Sequence, residues 1–149
     1  MLFRSVHYRN RRADFVFVIG TSHEFTKTSA IVVHEGRFFT DAETWGARPV
    51  CVLGSQVSSN LFVNGESPLG KKVQIGRDSF EVVATLEPQG KFLGRFNMDN
   101  QVIIPIGSFM KTFTANPFIS IQVKALNLGL LDQAKEELRG IMQIGRAHV

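Results

Sequence analysis

Apolar and polar side chains alternate most regularly between Lys72 and Leu86. Val73 and Ile75 alternate with Lys72 and Gln74. Phe80, Val82 and Ala84 then alternate with Glu81 and Val83, and Gly76-Arg77-Asp78 lies between the two runs. Period-two runs this close, with a glycine at the junction, predict an antiparallel hairpin of 71–76 with 79–86. Shorter runs predict strands at Phe15–Gly20, Ala30–Val33, Arg48–Gly54 and Gln101–Ile106, the last stopped by Pro105 at an edge or a strand end. Pro117 precedes a further alternating run, Phe118–Ala125, in which Ile119, Ile121 and Val123 share one side. Helical spacing is found at 56–62, with Ser55 as its cap. It recurs at 130–142, where Leu131, Ala134, Leu138 and Ile141 are expected to pack inward and Asn127 can cap. Short helices are expected after Thr21-Ser22, through about Lys27, and from Ser108 to Phe113. The polar stretches 41–48, 64–68 and 88–100 read as loops. Strands and helices in this irregular order indicate an α+β fold with a mixed or antiparallel sheet and short helices, not a doubly wound parallel sheet.

Charge changes the picture less than the formal net of +4 suggests. Four arginines (Arg4, Arg9, Arg11, Arg12) fall in the first 12 residues and Arg146 near the end, so 12 cations face 13 carboxylates over 13–143. A nucleic-acid binder needs a basic face spread over its fold, and none is indicated. Thirteen Phe against one Trp and one Tyr predict a core of large apolar rings. No apolar run approaches the roughly 20 residues that a helix needs to cross a bilayer.

Candidate chemistry is sparse. Gly65-Glu66-Ser67-Pro68-Leu69-Gly70-Lys71-Lys72 approaches the phosphate-binding pattern GxxxxGK[ST]. Lys72 occupies the hydroxyl position, however, Pro68 removes an amide, and a strand pattern follows where a helix is required. His7, His23, His34 and His148 show no metal-ligand spacing. Cys51 is the single cysteine, set in the strand-like Pro49–Leu53, and reads as a small buried hydrophobe. Carboxylate pairs such as Asp41/Glu43 and Glu136/Glu137 are expected to solvate a loop and a helix face. No catalytic residue, metal site or cofactor is indicated. Function is better placed in the loop 88–100, whose backbone need not pack in a sheet; Lys91, Phe92, Arg95 and Phe96 are its candidate contact residues.

The tail stands apart. Ile144-Gly145-Arg146-Ala147-His148-Val149 back-translates as ATC GGA AGA GCA CAC GTC, the start of a widely used sequencing adapter. Residues 144–149 are therefore expected to be a non-native tail.

Several stretches carry a resemblance in their order and spacing. They are Val18-Ile19-Gly20-Thr21, Glu35-Gly36-Arg37-Phe38-Phe39, Val50–Gly54, Asn60-Leu61-Phe62, Pro68-Leu69-Gly70-Lys71, the hairpin Val73–Leu86, Asp99 through Ile104-Pro105, Ile119–Val123 and Glu137-Leu138-Arg139. Together, over about 15–142, the sequence resembles the MacB-like periplasmic core domain of ABC transporter permeases. The residues carrying the motif in a structural role are Gly20, Gly36, Arg37, Phe38, Gly54, Leu61, Phe62, Pro68, Gly70, Asp99 and Pro105. Leu86-Glu87 and the Arg-rich opening depart from the pattern and leave the subfamily open.

The resemblance implies a partial, two-lobed core domain over 1–143. In it, 13–21 and 117–142 belong to a lobe completed by upstream elements, and about 35–113 forms the second lobe. It further implies a non-catalytic domain of a bacterial inner-membrane permease, facing the periplasm and transmitting ATP-driven motion to a substrate or adaptor. The implied partners are the transmembrane helices of the same permease chain, an ABC ATPase domain or subunit and a periplasmic adaptor protein, with a homodimer in the full transporter and no nucleic acid. The competing expectation is a stand-alone soluble ligand- or nucleic-acid-binding α+β module, which would need Arg9, Arg11 and Arg12 to join Lys71, Lys72 and Arg77 on one face.

Overall fold

The structure, a computed structural model, describes residues 2–46, 48–92, 96–113 and 127–147. The chain divides into two units, 1–119 and 120–149. In the first, strands β1 (Leu2–Tyr8), β2 (Arg11–Thr21), β3 (Val33–Gly36), β4 (Val50–Leu53), β5 (Lys72–Ile75), β6 (Asp78–Leu86) and a later strand, Gln101–Pro105, form one mixed sheet. Two short strands, β7 (Lys91–Phe92) and β8 (Phe96–Asn97), precede that later strand, which is therefore β9. The sheet order is β3-β6-β4-β9-β2-β1-β5, and β5 also pairs with β6. That extra pairing joins the two ends of the run from β6 to β5 into a small closed barrel and leaves β3 appended to β6. The β2–β9 and β4–β6 pairs are parallel; β1–β2, β1–β5, β4–β9, β5–β6 and β3–β6 are antiparallel.

Alternation decides which side chains fill the barrel. Val6, Tyr8, Ala13, Val16, Val18, Cys51, Leu53, Val73, Ile75, Phe80, Val82, Val102 and Ile104 point inward and form one buried cluster. Their strand neighbours Val50, Val52, Ala84, Leu86 and Ile103 form a second cluster outside the wall, covered by Ile31 and Phe39. Helix α3 (Ser55–Leu61) sends Val57 and Leu61 into the inner cluster, and α4 (Ile106–Thr112) sends Phe109. These helices follow β4 and β9, which run antiparallel, so they plug opposite ends of the barrel.

Two bulges reset the alternation. In β6 the inward Phe80 and Val82 give way to the outward Ala84 and Leu86, because the register slips from Cys51↔Val82 to Val52↔Ala84 and leaves Val83 as the extra residue. In β2 the buried residues step from Ala13 to Val16 as the pairing slips between Val6↔Ala13 and Arg4↔Val16. Asp14 and Phe15 there stand against the single Ser5, and Phe15 has a φ of +53° and a side chain that is 80% exposed.

The hairpin 71–76/79–86 forms as expected, in the register Val73↔Phe80. Other expectations need correction. Residues 41–48 are not all loop: Asp41–Trp45 is helix α2, started by a capping box in which Thr40 Oγ1 accepts from the Glu43 amide and Glu43 Oε1 accepts from the Thr40 amide. The strand expected at 30–33 begins only at Val33 and runs through His34-Glu35-Gly36, since the pairing with β6 recruits these polar residues at the sheet edge. Gly54, not Ser55, is the N-cap of α3. The short helix after Ser22, α1, is Phe25–Thr28, and α4 starts directly after Pro105. Inside the loop 88–100, β7 and β8 pair as a small hairpin. Strand β2 is paired along Phe17–Thr21 with β9 within the first unit. Residues 118–125 lie outside the described residues.

The second unit contains a 3-10 turn, Leu128–Leu130, capped by Asn127 Oδ1 accepting from the Leu130 amide at 3.0 Å, and helix α5, Leu131–Ala147. Leu131 and Ile141, expected to face inward, are exposed, while Ala134 and Leu138 are half-buried; no other strand or helix of this unit is described that could receive them. The backbone of 144–147 continues α5, and His148 and Val149 lie outside the described residues.

Candidate functional site

Four consecutive residues leading into β9, Asn97 to Asn100, fasten the loop 88–100 to the barrel. The Asp99 carboxylate accepts the amides of Gln89 (2.6 Å) and Gly90 (3.0 Å), and the Met98 amide donates to the Gly90 carbonyl (3.0 Å). Gly90 has a φ of +79°, a left-handed conformation that glycine adopts without strain. Asn97 Oδ1 accepts the Asp99 amide, and the Asn97 side-chain amide donates to Gln56 Oε1. Asn100 works in the other direction: its Nδ2 donates to the carbonyls of Asp14 (3.2 Å) and Phe15 (3.1 Å), holding the β2 bulge. The carbonyls of Gln101 and Asp99 accept the amides of Gly54 (2.8 Å) and Gln56 (3.0 Å), which docks the first turn of α3 on the same spot. A Cβ on Gly54 would lie 2.5 Å from the Asp99 carbonyl oxygen, so only glycine allows this approach.

The result is a hairpin, Lys91↔Asn97 and Phe92↔Phe96, held at the barrel rim by the side chains and backbone of 97–101. Of the candidate contact residues, Lys91, Phe92 and Phe96 lie on its two strands; Arg95 lies outside the described residues. A short basic and aromatic sequence, 91–96, lies between these fixed ends.

The other motif residues sit where wall meets plug or cover. Gly20 lies under Phe109: a Cβ added there would fall only 2.4 Å from the Phe109 Cβ, so glycine lets α4 close on β2. Gly36, with φ +86°, faces the bulged Val83 carbonyl, which accepts the Arg37 amide at 3.0 Å. Arg37 forks onto Glu43 (2.8 and 3.3 Å). That guanidinium, helped by the Thr40 amide, holds the Glu43 carboxyl below its usual range although burial opposes it. Phe38 stacks on Phe39 at 4.2 Å. Leu61 is buried and Phe62 stacks on Tyr8 at 4.4 Å. Pro68 is buried, and its carbonyl accepts the Lys71 amide. Gly70 donates its amide to the Val82 carbonyl, and Pro105 ends β9 opposite Thr21. With the Gly70 and Lys71 amides bonded to backbone and β5 starting at Lys72, the segment 65–72 has no phosphate cradle to offer.

Cys51 is fully buried in the barrel wall, and burial pushes its thiol well up, which suits a core residue and not a nucleophile. The β1–β5 pairing brings the turn at Arg9 to the same end as Lys71 and Lys72, but Arg77 sits in the β5–β6 turn at the other end of β5. Sequence inspection missed Asn100, Gln56 and Asn97, whose roles depend on distant carbonyls and amides. Glu43 had a usable signal in Thr40-x-x-Glu43.

The described residues of the first unit form a closed barrel plugged by α3 and α4, with a short hairpin at its rim. Residues 1–141 match the MacB-like periplasmic core domain family. The chain belongs to that family. It is 30% identical over 130 residues to the pyoverdine export ATP-binding/permease protein PvdT of Pseudomonas syringae pv. syringae (strain B728a), a match covering 85% of this chain and 20% of the relative. It is 30% identical over 112 residues to the macrolide export ATP-binding/permease protein MacB of Nitrosomonas europaea, covering 74% and 17%. The chain thus spans about a fifth of the length of these curated relatives. Its fold is similar to the periplasmic region of MacB from Actinobacillus actinomycetemcomitans, with a TM-score of 0.72, 16% identity and coverage of 95% of this chain and 63% of that one. It is equally similar to the extracellular domain of the noncanonic ABC-type transporter YknZ from Gram-positive bacteria, with a TM-score of 0.72, 19% identity and coverage of 89% and 65%. Among the described residues, no helix is long and apolar enough to cross a membrane.

Proposed function

We propose that this chain is the periplasm-facing domain of an ABC-type export permease of the bacterial inner membrane, acting as a non-catalytic transmitter. Conformational change driven by ATP hydrolysis in a cytoplasmic ATPase domain or subunit reaches it through the transmembrane helices of the same permease. The domain passes that motion to an exported substrate or to a periplasmic adaptor protein, within a homodimeric transporter. The observation that carries this is family membership across 1–141. The architecture supports it: a small barrel plugged at both ends is stiff, so a displacement at one end is delivered at the other instead of being absorbed. The rim hairpin, clamped by Asp99, is the element we assign to contact, through Lys91, Phe92, Arg95 and Phe96. Gly20, Gly36, Arg37, Phe38, Gly54, Leu61, Phe62, Pro68, Gly70, Asp99 and Pro105 keep the barrel and its attachments in place.

The test belongs in the parent permease. Replacing 91–96 by a Gly/Ser segment of equal length should lower export in cells severalfold, while basal ATP hydrolysis of the purified transporter persists. Full export with the replaced hairpin would overturn the contact role. Full export after disruption of the barrel by Gly54→Val would overturn the transmitter function itself.

A further inference from the structure

The segment between α3 and β5 is anchored at two points with a tight turn between them. At the first, Leu61 is buried and its carbonyl accepts Arg11 Nη1 at 3.1 Å, while Phe62 stacks on Tyr8 at 4.4 Å. At the second, the Glu66 carboxylate accepts the Tyr8 hydroxyl at 2.8 Å and lies 3.8 Å from Arg11 Nη1. These contacts fasten the turn between β1 and β2 to the end of α3. Between the anchors the chain reverses at Asn64-Gly65, with φ of +58° and +74°, the pattern of a type I′ turn that asparagine and glycine favour. The Glu66 amide closes the turn by donating to the Val63 carbonyl at 3.2 Å, the long end of the ordinary range.

Asn64 and Gly65 are both exposed. Among the described residues, neither the Asn64 side chain nor the Gly65 amide takes part in a hydrogen bond. A Cβ built on Gly65 would meet nothing within 4 Å, so the space beside it is open. Asn97 makes the contrast. The amide that follows it, on Met98, donates to the Gly90 carbonyl, and its own side chain is bonded to Gln56 and to the Asp99 amide.

We propose that Asn64 is a site of spontaneous covalent modification, converting to aspartate and isoaspartate through attack of the Gly65 amide on its side chain, and that the conversion loosens the hold of Glu66 on Tyr8 and Arg11. The Gly65 nitrogen gives its proton to solvent hydroxide and bonds to Asn64 Cγ. The Cγ–NH2 bond breaks, and its nitrogen leaves as ammonia with a proton taken from water. Water then opens the cyclic imide. Cleavage of the new N–Cγ bond leaves aspartate in an unchanged main chain. Cleavage of the original peptide C–N bond leaves isoaspartate, with the chain running through Cβ and Cγ. Water is consumed, ammonia is released, and nothing is oxidised or reduced. Glycine suits the step because no Cβ crowds the attacking nitrogen. Either product adds a negative charge close to Glu66, and isoaspartate adds a methylene to the main chain of the turn that sets Glu66 against Tyr8. The inference does not rest on the transmitter function.

The test incubates the whole chain in neutral and in mildly alkaline buffer and maps its peptides by mass spectrometry that separates isoaspartate from aspartate. Asn64 should convert severalfold faster than Asn60 and Asn97, and faster in the alkaline buffer, where more of the nucleophile is deprotonated. Gly65→Ala should slow the conversion severalfold. Asn64→Gly suits the left-handed backbone and should abolish it with the fold intact. The converted chain, separated by its added charge, should unfold at lower urea than the fresh chain. In Tyr8→Phe, which keeps the ring on Phe62 without the hydroxyl, conversion should lower the midpoint less, because the bond to Glu66 is already missing. Conversion of Asn64 no faster than that of Asn60 and Asn97 would overturn the modification site. A midpoint unchanged by conversion, or lowered equally in Tyr8→Phe, would overturn the loosening of Glu66.

Discussion

Gly54→Ala isolates a single steric contact. Gly54 has φ −65° and ψ 158°, angles that alanine adopts freely, so no backbone strain enters. What changes is space: the new Cβ would lie 2.5 Å from the Asp99 carbonyl oxygen and 2.9 Å from that of Gln101. Both are backbone atoms of the β9 junction and cannot swing aside. Relief requires the first turn of α3 to move by several tenths of an ångström or more. That movement lengthens the bonds from the Gly54 amide to Gln101 (2.8 Å) and from the Gln56 amide to Asp99 (3.0 Å). Overpacking at such a site costs about 1–3 kcal/mol, and weakening two backbone hydrogen bonds adds about 1 kcal/mol, for a loss of roughly 2–4 kcal/mol. In urea, with a slope of about 2 kcal/mol/M for a chain of this size, the midpoint should fall by roughly 1–2 M. Hydrogen exchange at the Gln89 and Gly90 amides should quicken as well, because their acceptor, Asp99, is displaced. Gly65→Ala is the control: it has open space around it but φ +74°, and should cost only about 1 kcal/mol. A Gly54→Ala midpoint at or above that of Gly65→Ala would refute the close-approach account of the junction.

Glu43→Gln should cost about 1–2 kcal/mol near neutral pH, from a weakened capping box and the loss of a charged partner for Arg37. Because the Glu43 pKa is lowered in the fold, its contribution is complete above the unfolded value of about 4.3 and fades as pH falls through the folded one. The stability gap between wild type and Glu43→Gln should therefore close on acidification in urea titrations, and a gap constant with pH would contradict the pairing. His34 is raised by its hydrogen bond to Glu87 at 2.7 Å, so that pair contributes below about pH 6.5 and is lost as pH rises through the raised pKa. An NMR titration of the His34 ring should show a lower pKa in Glu87→Gln; an unchanged midpoint would remove Glu87 as the cause. Cys51, fully buried with its thiol pushed up, should react with a thiol reagent only at the rate of unfolding, and prompt labelling in native buffer would refute its place in the wall.

Much of this domain follows from local pattern. Val73/Ile75 against Phe80/Val82 dictates a hairpin because period-two alternation puts all four on one face, and Gly76, at φ +64°, makes the turn. The apolar run at Val50–Leu53 had to be a strand buried on both faces, and it is. The order and spacing of short stretches from Val18-Ile19-Gly20-Thr21 to Glu137-Leu138-Arg139 pointed to the family. Tertiary structure alone decided the rest. Closure through β5–β6, the slip at Val83 that turns Ala84 and Leu86 outward, and the bulge that holds Phe15 in water each depend on neighbours supplied by distant strands. Phe15 reads in sequence as the first buried residue of a strand. It is exposed because Asn100, 85 residues away, bonds its carbonyl and stabilises one extra residue in β2. Local alternation specifies which face a side chain takes relative to its neighbours. Only pairing across the sheet, where one inserted residue reverses every later side chain, decides which face is the inside.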